Sequence, residues 1–284
     1  MAALADILES ATSRLAAALC LERREARLEA QILAARSLDV NRAWLVAHAH
    51  EGLTQDQTHA VETLINRREQ GEPVAYILGE KEFYGRMFKV TPDVLIPRPE
   101  TELLVEAALE CLPKNRPAKI LDLGTGSGCI AITLALERPS WQVTAVDISL
   151  LALKTAQMNA QILGANVHFF ESDLFAALNG TLFDLIVSNP PYVADLDPHL
   201  TRGDLYHEPQ IALASGPDGL DTLDRLIAQT SSHLKQRAWL VVEHGWDQQD
   251  KCHALMAQSG FMDIQTRHDL AGQPRITLGQ RGEA

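Results

Sequence analysis

Hydrophobic residues recur at intervals of three and four through the first 70 residues of the chain, which is the periodicity of amphipathic helices. Leu28, Ile32 and Leu33 form one such stripe. Glycines are few and no proline occurs before Pro73, so little interrupts a helical run. The pattern predicts a bundle of about four or five helices over residues 1–72. The bundle is either a packed cap or a recognition domain for a macromolecular partner, and the pattern does not choose between them.

Between residues 73 and 97 the pattern changes to branched and aromatic residues separated by glycines. Residues 74–79 and 81–90 predict a β-hairpin linker. A helix is then expected to begin near Pro99, because proline and acidic residues favour the first helical turn. Arg98, Glu100 and Glu102 at this point either serve that helix start or shape a substrate pocket.

After Leu109 the chain alternates between short apolar runs and amphipathic segments. Such alternation predicts an α/β fold over residues 98–284, with a mostly parallel sheet and helices on both faces. The predicted strands are 119–123, 142–147, 166–171, 183–188, 238–243, 261–268 and 274–279, and the predicted helices are 128–137, 149–163, 219–234 and 247–259. Residues 235–237 are expected to form a loop before their strand.

A glycine-rich turn follows the first predicted strand of the sheet. Gly124, Gly126 and Gly128 allow the backbone to turn sharply and to approach a ligand closely. Asp147 ends the next strand roughly 20 residues later, the spacing at which nucleotide-binding folds place an acid on ribose hydroxyls. The pattern is Gly-x-Gly-x-Gly and not the dinucleotide fingerprint Gly-x-Gly-x-x-Gly. Taken alone, it is also compatible with a tight turn that binds nothing.

The sequence Asn189-Pro190-Pro191-Tyr192 follows the apolar run 183–188. Two prolines end a strand, because each lacks a backbone N–H and has a fixed φ. The Asn189 side-chain oxygen and the Pro190 carbonyl can together accept both hydrogens of a planar NH2 group, with the Tyr192 ring over its face. These residues predict the transfer of a group to an amide or amine nitrogen. Because ligands bind beyond the carboxyl ends of parallel strands, we expect Gly124, Asp147, Asp173 and Asn189 to share one rim.

The net charge, the apolar runs and the cysteine spacing limit the classes of protein to which the chain can belong. Its formal net charge of −12 over 284 residues disfavours binding to nucleic acid through a broad basic surface. No secretory signal and no apolar run of about 20 residues is apparent. The cysteines lie far apart, which is typical of reduced thiols and not of a zinc site. We therefore expect a cytoplasmic protein with no membrane association, no direct nucleic-acid contact and no metal.

Two of these motifs carry a resemblance. Residues 122–128 resemble the S-adenosylmethionine-binding loop of class I (Rossmann-like) methyltransferases, and residues 189–192 resemble the motif of enzymes that methylate adenine, cytosine or glutamine nitrogens. Segments 97–102, 243–246 and 275–279 are three further points of resemblance, and they indicate one family among these enzymes. Over nearly its whole length the chain is similar to the peptide chain release factor glutamine methyltransferases.

The resemblance implies an S-adenosylmethionine-dependent class I methyltransferase domain at 98–284, an N-terminal helical substrate-recognition domain at 1–72 and a hairpin linker at 73–97. It implies methylation of the glutamine in the Gly-Gly-Gln loop of class I release factors, with S-adenosylhomocysteine as product. The implied binding residues for the acceptor amide are Asn189, Pro190, Pro191 and Tyr192. Of these, Asn189, Pro190 and Tyr192 are the implied catalytic residues, and Asn189 is also expected to contact the cofactor.

The same resemblance assigns the cofactor residues. The methionine end is expected on the backbone of Gly124, Thr125, Gly126, Ser127 and Gly128. Asp147 is expected on the ribose, although capping of the next helix is an alternative. Asp173 either accepts the adenine amino group or is a turn residue. Leu174 stands where several relatives have tryptophan, and it offers apolar contact without a ring to stack.

Three other readings compete with this function. Ribosomal protein L3 glutamine methyltransferases share Asn-Pro-Pro-Tyr, although Pro-Arg-Pro-Glu-Thr-Glu at 97–102 favours the release-factor branch. A DNA or RNA amino-methyltransferase acting on a flipped base makes similar demands on the motif, and the acidic charge disfavours it. A non-enzymatic binding module does not explain why the full set of site residues is present.

Overall fold

The computed structural model describes residues 2–178 and 180–283, and the chain divides into two compact units. The first unit is the chain up to Glu80 together with Thr201–His207. The second is Lys81–Leu200 together with the chain from Glu208 onward.

The first unit is helical, as the periodicity predicts. Its helices are α1 (Leu4–Leu19), α2 (Arg23–Ser37), α3 (Arg42–Ala47), α4 (Gln55–Glu69) and α5 (Val74–Leu78). Thr54 begins α4 with a capping box, because its hydroxyl accepts from Gln57 N–H while the Gln57 side chain accepts from Thr54 N–H. The apolar stripes meet in one core, where Leu15, Leu33 and Ile65 are fully buried. Each buried side chain of this size contributes about 2 kcal/mol of transfer free energy.

Residues 74–79 are not part of a hairpin, and that prediction is wrong. They form α5, which ends at Gly79 in the left-handed region at φ 70°. Ile77 packs into the helical core. Branched and aromatic residues favour strands only weakly, and burial against a helical core overrides that preference.

A buried arginine ties a distant segment to the helical unit. Arg68 is only 4% exposed. Its Nε and Nη2 donate to Glu29 at 2.8 and 3.1 Å, and its Nη1 donates to Asp204 at 2.8 Å. A buried guanidinium needs such partners. Thr201–His207 therefore belongs with the helices, whereas the sequence placed all of 98–284 in one domain.

The second unit carries a short hairpin and a seven-stranded sheet. In the hairpin, β1 (Glu80–Phe83) pairs with β2 (Arg86–Lys89). The hairpin begins one residue before the range 81–90 that the sequence predicts. A 3-10 turn at Pro99–Thr101 then leads into α6 (Glu102–Cys111). The remaining elements are β3 (Ala118–Leu123), α7 (Cys129–Glu137), β4 (Trp141–Asp147), α8 (Leu150–Leu163), β5 (Val167–Glu171), β6 (Phe183–Ser188), α9 (Asp221–Thr230), β7 (Leu234–Glu243), α10 (Gln249–Gln258), β8 (Phe261–His268) and β9 (Pro274–Arg281).

The strand order is β5-β4-β3-β6-β7-β9-β8. Strands β3 to β7 pair in parallel, and β9 pairs antiparallel with both β7 and β8. All six residues of β6 are buried, which accounts for the four apolar residues in its sequence. The parallel strands bring the ends of β3, β4 and β6 to one edge of the sheet. The predicted α/β architecture is thus confirmed.

Residues 235–237 are not a loop before β7 but part of it. The register against β6 shifts between Phe183 and Leu185, and Arg237 lies in the left-handed region at φ 58°. The strand therefore continues through a bulge, which a sequence pattern of polar residues does not reveal. Among the described residues, no helix has the length and apolar character to cross a membrane.

Candidate active site

Asp147 joins the glycine-rich turn to the end of β4. Its Oδ2 accepts from Gly126 N–H at 2.8 Å and its Oδ1 accepts from Ser149 N–H at 2.9 Å. Burial raises the pKa of this carboxyl, and the backbone N–H groups oppose that rise. Each oxygen keeps a further lone pair, so Asp147 can hold the turn and still accept hydrogen bonds from a ligand. Ser149, and not Asp147, supplies the side-chain cap of α8.

The turn presents only two of its five residues to a cavity. Gly124 and Gly126 lie at φ 71° and 55°, and a Cβ added at either would meet no atom within 4 Å. Thr125 and Ser127 are buried and are absent from the cavity lining. Gly128 is a packing glycine, because an added Cβ would lie 3.0 Å from Ala156 Cβ. The described structure thus brings Gly124 and Gly126 to the site and turns the other three inward.

The cavity has a volume of about 290 Å³, near the lower end of the range for small-ligand pockets. All four strand-end residues expected on one rim line it, namely Gly124, Asp147, Asp173 and Asn189. Leu174 and Pro191 line it as well. Sequence reasoning missed several further lining residues, which come from distant segments without a recognisable motif: Asp93, Val94, Leu95, Ile148, Ser149, Ala152, Ser172, Pro209, Ile211, Ala212, Thr222 and Arg225.

Asp173 already has a partner at this site. Its Oδ2 accepts from Arg225 Nη2 at 2.9 Å, in a pair whose side chains are about half exposed. Such exposed pairs contribute little, about 0–1 kcal/mol, so the carboxylate can exchange this contact for a ligand. Leu174 lies beside it with φ 48°, and its carbonyl accepts from the Ser172 hydroxyl at 2.8 Å.

The Asn-Pro-Pro-Tyr segment leaves β6 at the same rim. Asn189 is partly exposed, and its Nδ2 donates to Thr101 Oγ1 at 3.2 Å. Pro190 is buried, whereas Pro191 lines the cavity. Tyr192 Oη donates to Glu243 Oε1 at 3.2 Å, and burial raises the pKa of the phenol. Thr101 and Glu243 therefore hold the segment on its buried side. Both lie in segments that carry the resemblance, 97–102 and 243–246, but neither was named as a site residue.

Glu208 and His244, which lie near the site, have structural roles. Glu208 accepts from Ile96 N–H at 3.0 Å and pairs with Arg98, so it holds the segment before α6. His244 is buried, contacts Gly245 O and Thr277 Oγ1, and has a pKa lowered chiefly by burial. Both residues thus order the loops in which they lie. Among the described residues, no group of three or more His, Cys, Asp or Glu could hold a metal ion.

Two buried carboxyls should make the stability of the protein depend on pH. Burial raises the pKa of Glu243 from 4.5 to about 7 and that of Asp122 from 3.8 to about 7. Over this interval the folded state binds more protons than the unfolded state, so the free energy of unfolding should fall as pH rises through it. Replacing Glu243 by Gln should remove its share of that slope in urea titrations between pH 4.5 and 7.5.

The exposed carboxyl of Glu110 offers the control for this experiment. Glu110→Gln should leave the slope of the wild type unchanged. A Glu243→Gln protein with the wild-type slope would mean that Glu243 does not titrate in this interval.

Comparison with known proteins agrees with this fold and site. Residues 100–259 match the family model described as the methyltransferase small domain, and residues 6–79 match that of the PrmC N-terminal domain. Among solved structures, a methyltransferase from Pyrococcus furiosus is 17% identical with a TM-score of 0.54, covering 72% of this chain and 92% of its own. The fold is that of the class I methyltransferases.

Curated relatives define the family more closely. The release factor glutamine methyltransferase of Coxiella burnetii is 44% identical over 97% of this chain and 99% of its own length. That of Bordetella pertussis is 47% identical over 89% and 94%. The chain is therefore a methyltransferase. It belongs to the release factor glutamine methyltransferase family.

Proposed function

We propose that this protein transfers a methyl group from S-adenosylmethionine to the side-chain amide nitrogen of the glutamine in the Gly-Gly-Gln loop of class I peptide chain release factors. The observation that carries the proposal is the site where Asn189 and Pro191 meet Gly124, Gly126 and Asp147 around one cavity. An amide acceptor site at Asn189 and a nucleotide site at Gly124, Gly126 and Asp147 would then share one volume, as methyl transfer to an amide requires.

The lining of the cavity supports binding of the cofactor there. Gly124 and Gly126 leave open space where any other residue would place a Cβ, so a ligand can approach the backbone of the turn. Asp147 has lone pairs to receive ribose hydroxyls, and Asp173 and Leu174 offer an acceptor and an apolar surface to adenine. S-adenosylmethionine supplies an electrophilic methyl group on its sulfonium; S-adenosylhomocysteine is the product.

The acceptor amide is a poor nucleophile, because its nitrogen lone pair is delocalised into the carbonyl. Asn189 Oδ1 and the Pro190 carbonyl would accept its two hydrogens and so fix the direction of that lone pair. The same acceptors stabilise positive charge that develops on the nitrogen. The Tyr192 ring would pack over the amide plane. The proton leaves after transfer, so no strong base is required at the start.

The helical unit would recognise the protein substrate. Its family match covers residues 6–79, and its core is complete in itself. We propose that it binds the body of the release factor. The enzyme would then act in the cytoplasm, where translation takes place. Its substrate is a protein, so direct contact with nucleic acid is not expected.

The test is methyl transfer from labelled S-adenosylmethionine to a purified release factor, ribosomal protein L3 and duplex DNA in parallel, followed by peptide mapping. Label on the glutamine of the Gly-Gly-Gln loop is expected. A release factor with that glutamine replaced by alanine is the matched control and should remain unlabelled.

Label confined to L3 would overturn the substrate and keep the amide chemistry. Label confined to DNA would overturn the protein substrate altogether. Absence of transfer to all three acceptors would overturn the proposed function.

A further inference from the structure

Thr101 is a buried residue behind the Asn-Pro-Pro-Tyr segment. It ends the 3-10 turn Pro99–Thr101, where its N–H donates to the Arg98 carbonyl at 3.1 Å. It is only 2% exposed. Its hydroxyl oxygen accepts from Asn189 Nδ2 at 3.2 Å. Thr101 thus contacts the amide end of Asn189 from the side away from solvent.

Glu243 lies on the other side of that hydroxyl. The carboxyl is 1% exposed, and its Oε1 accepts from Tyr192 Oη. Its Oε2 has no partner at full hydrogen-bonding geometry among the described residues. Burial raises the pKa of this carboxyl to about 7, and the neighbouring hydroxyls of Thr101 and Tyr192 oppose that rise.

While Glu243 is ionised, the donor and acceptor count allows only one orientation of the Asn189 amide. The hydroxyl of Thr101 has one proton and the ionised carboxylate can only accept, so that proton goes to Glu243. The remaining lone pairs of Thr101 Oγ1 require a donor, which is the NH2 end of Asn189. In the flipped amide, oxygen would face oxygen. Oδ1 consequently points away from Thr101, and none of the described residues donates to it.

We propose that Thr101, held by Glu243, is a positioning residue that fixes the amide orientation of Asn189 and so keeps Oδ1 available to the acceptor nitrogen. The inference rests on the proposed function, because Oδ1 must serve as the acceptor for an amide N–H. Without the threonine hydroxyl the Asn189 side chain can rotate by half a turn and present NH2 to the substrate, which repels its hydrogens.

The first experiment compares Thr101→Val with Thr101→Ser. Valine keeps the shape and removes the hydroxyl, and serine keeps the hydroxyl. We expect Thr101→Val to lower kcat about tenfold with KM for the release factor within about twofold, a loss equal to about 1.4 kcal/mol. Thr101→Ser should retain at least a third of the wild-type kcat. The matched control is Thr133→Val, at a buried threonine of α7 whose hydroxyl has no hydrogen-bond partner among the described residues.

Two further measurements distinguish a positioning role of Thr101 from a packing role. In an Asn189→Ala background, Thr101→Val should cause no additional loss, because the group that it orients is absent. In the wild-type protein labelled with 15N, one side-chain N–H of Asn189 should exchange slowly with solvent, since it is bonded to Thr101. This second measurement needs no substitution at Thr101 and decides the matter even if Thr101→Val does not fold.

An active wild type with an equally active Thr101→Val protein would overturn the inference and leave the proposed function intact. The same holds if both Asn189 N–H groups exchange rapidly, or if Thr101→Val and Asn189→Ala act additively. A wild type that does not methylate the release factor would overturn the proposed function instead. The two failures are therefore distinguishable.

Discussion

Replacing Asn189 by alanine should lower methyl transfer to the release factor about a hundred- to a thousandfold. The change removes Oδ1, one of the two acceptors proposed for the glutamine NH2, and acceptors aimed at developing charge contribute on this scale. Asn189 is partly exposed and lines the cavity, so the truncation should cost little stability. Single-turnover rates at saturating S-adenosylmethionine measure the effect on transfer, separately from product release.

Asn115 supplies the control for this substitution. It is an exposed loop residue before β3, at the end of the sheet opposite the cavity. Asn115→Ala should have the wild-type rate. If Asn189→Ala retained more than a tenth of that rate, the amide oxygen would not be a principal acceptor, and the chemistry proposed for the segment would fail.

The features that the sequence predicted well are those in which local pattern and burial agree. The run 183–188 is apolar at four of its six positions because β6 is covered on both faces, and its bounds match the prediction. The ends of parallel strands must meet at one edge, so the motifs after β3, β4 and β6 could be placed together without a structure. Gly124, Asp147, Asp173 and Asn189 do line one cavity.

The features that escaped prediction depend on contacts between segments far apart in the chain. Residues 74–79 have strand-like composition, but Ile77 is buried in a helical core and the segment is helical. Arg68 pairs with Asp204, which lies 136 positions away. No local pattern encodes such pairs, because a charged residue in a helix has the same sequence context whether it faces water or a partner.

The site also combines features that are visible in the local sequence with features that depend on distant contacts. Glycine-rich turns and Asn-Pro-Pro-Tyr have local geometry that only a few residues can adopt, and this makes them visible in a sequence. Thr101 and Glu243 lie within the segments 97–102 and 243–246, but nothing local in those segments shows what the two side chains contact. Their importance arises from what they contact, namely Asn189 and Tyr192, so only the three-dimensional arrangement reveals it.

Gly219 is the residue at which a single added methyl group should disturb the site most. A Cβ there would lie 2.2 Å from the Tyr192 carbonyl oxygen and 2.9 Å from Gln248 Nε2, and φ is 77°. Gln248 itself donates to that carbonyl at 3.0 Å. Gly219→Ala should lower the free energy of unfolding by about 3–5 kcal/mol, from about 1–2 for the left-handed backbone and the rest from overpacking.

The backbone of Tyr192 must move to relieve this contact, and Asn189 lies three residues before it. Displacement of a binding group by about 1 Å costs on the order of a hundredfold in rate. Gly164→Ala separates the two effects, because Gly164 has φ 69° but no atom within 4 Å of an added Cβ. Gly164→Ala should lower the free energy of unfolding by about 1–2 kcal/mol and leave the rate of methyl transfer unchanged. Urea denaturation and single-turnover assays on both proteins measure the difference, and equal behaviour of the two would show that the close approach at Tyr192 does not constrain the site.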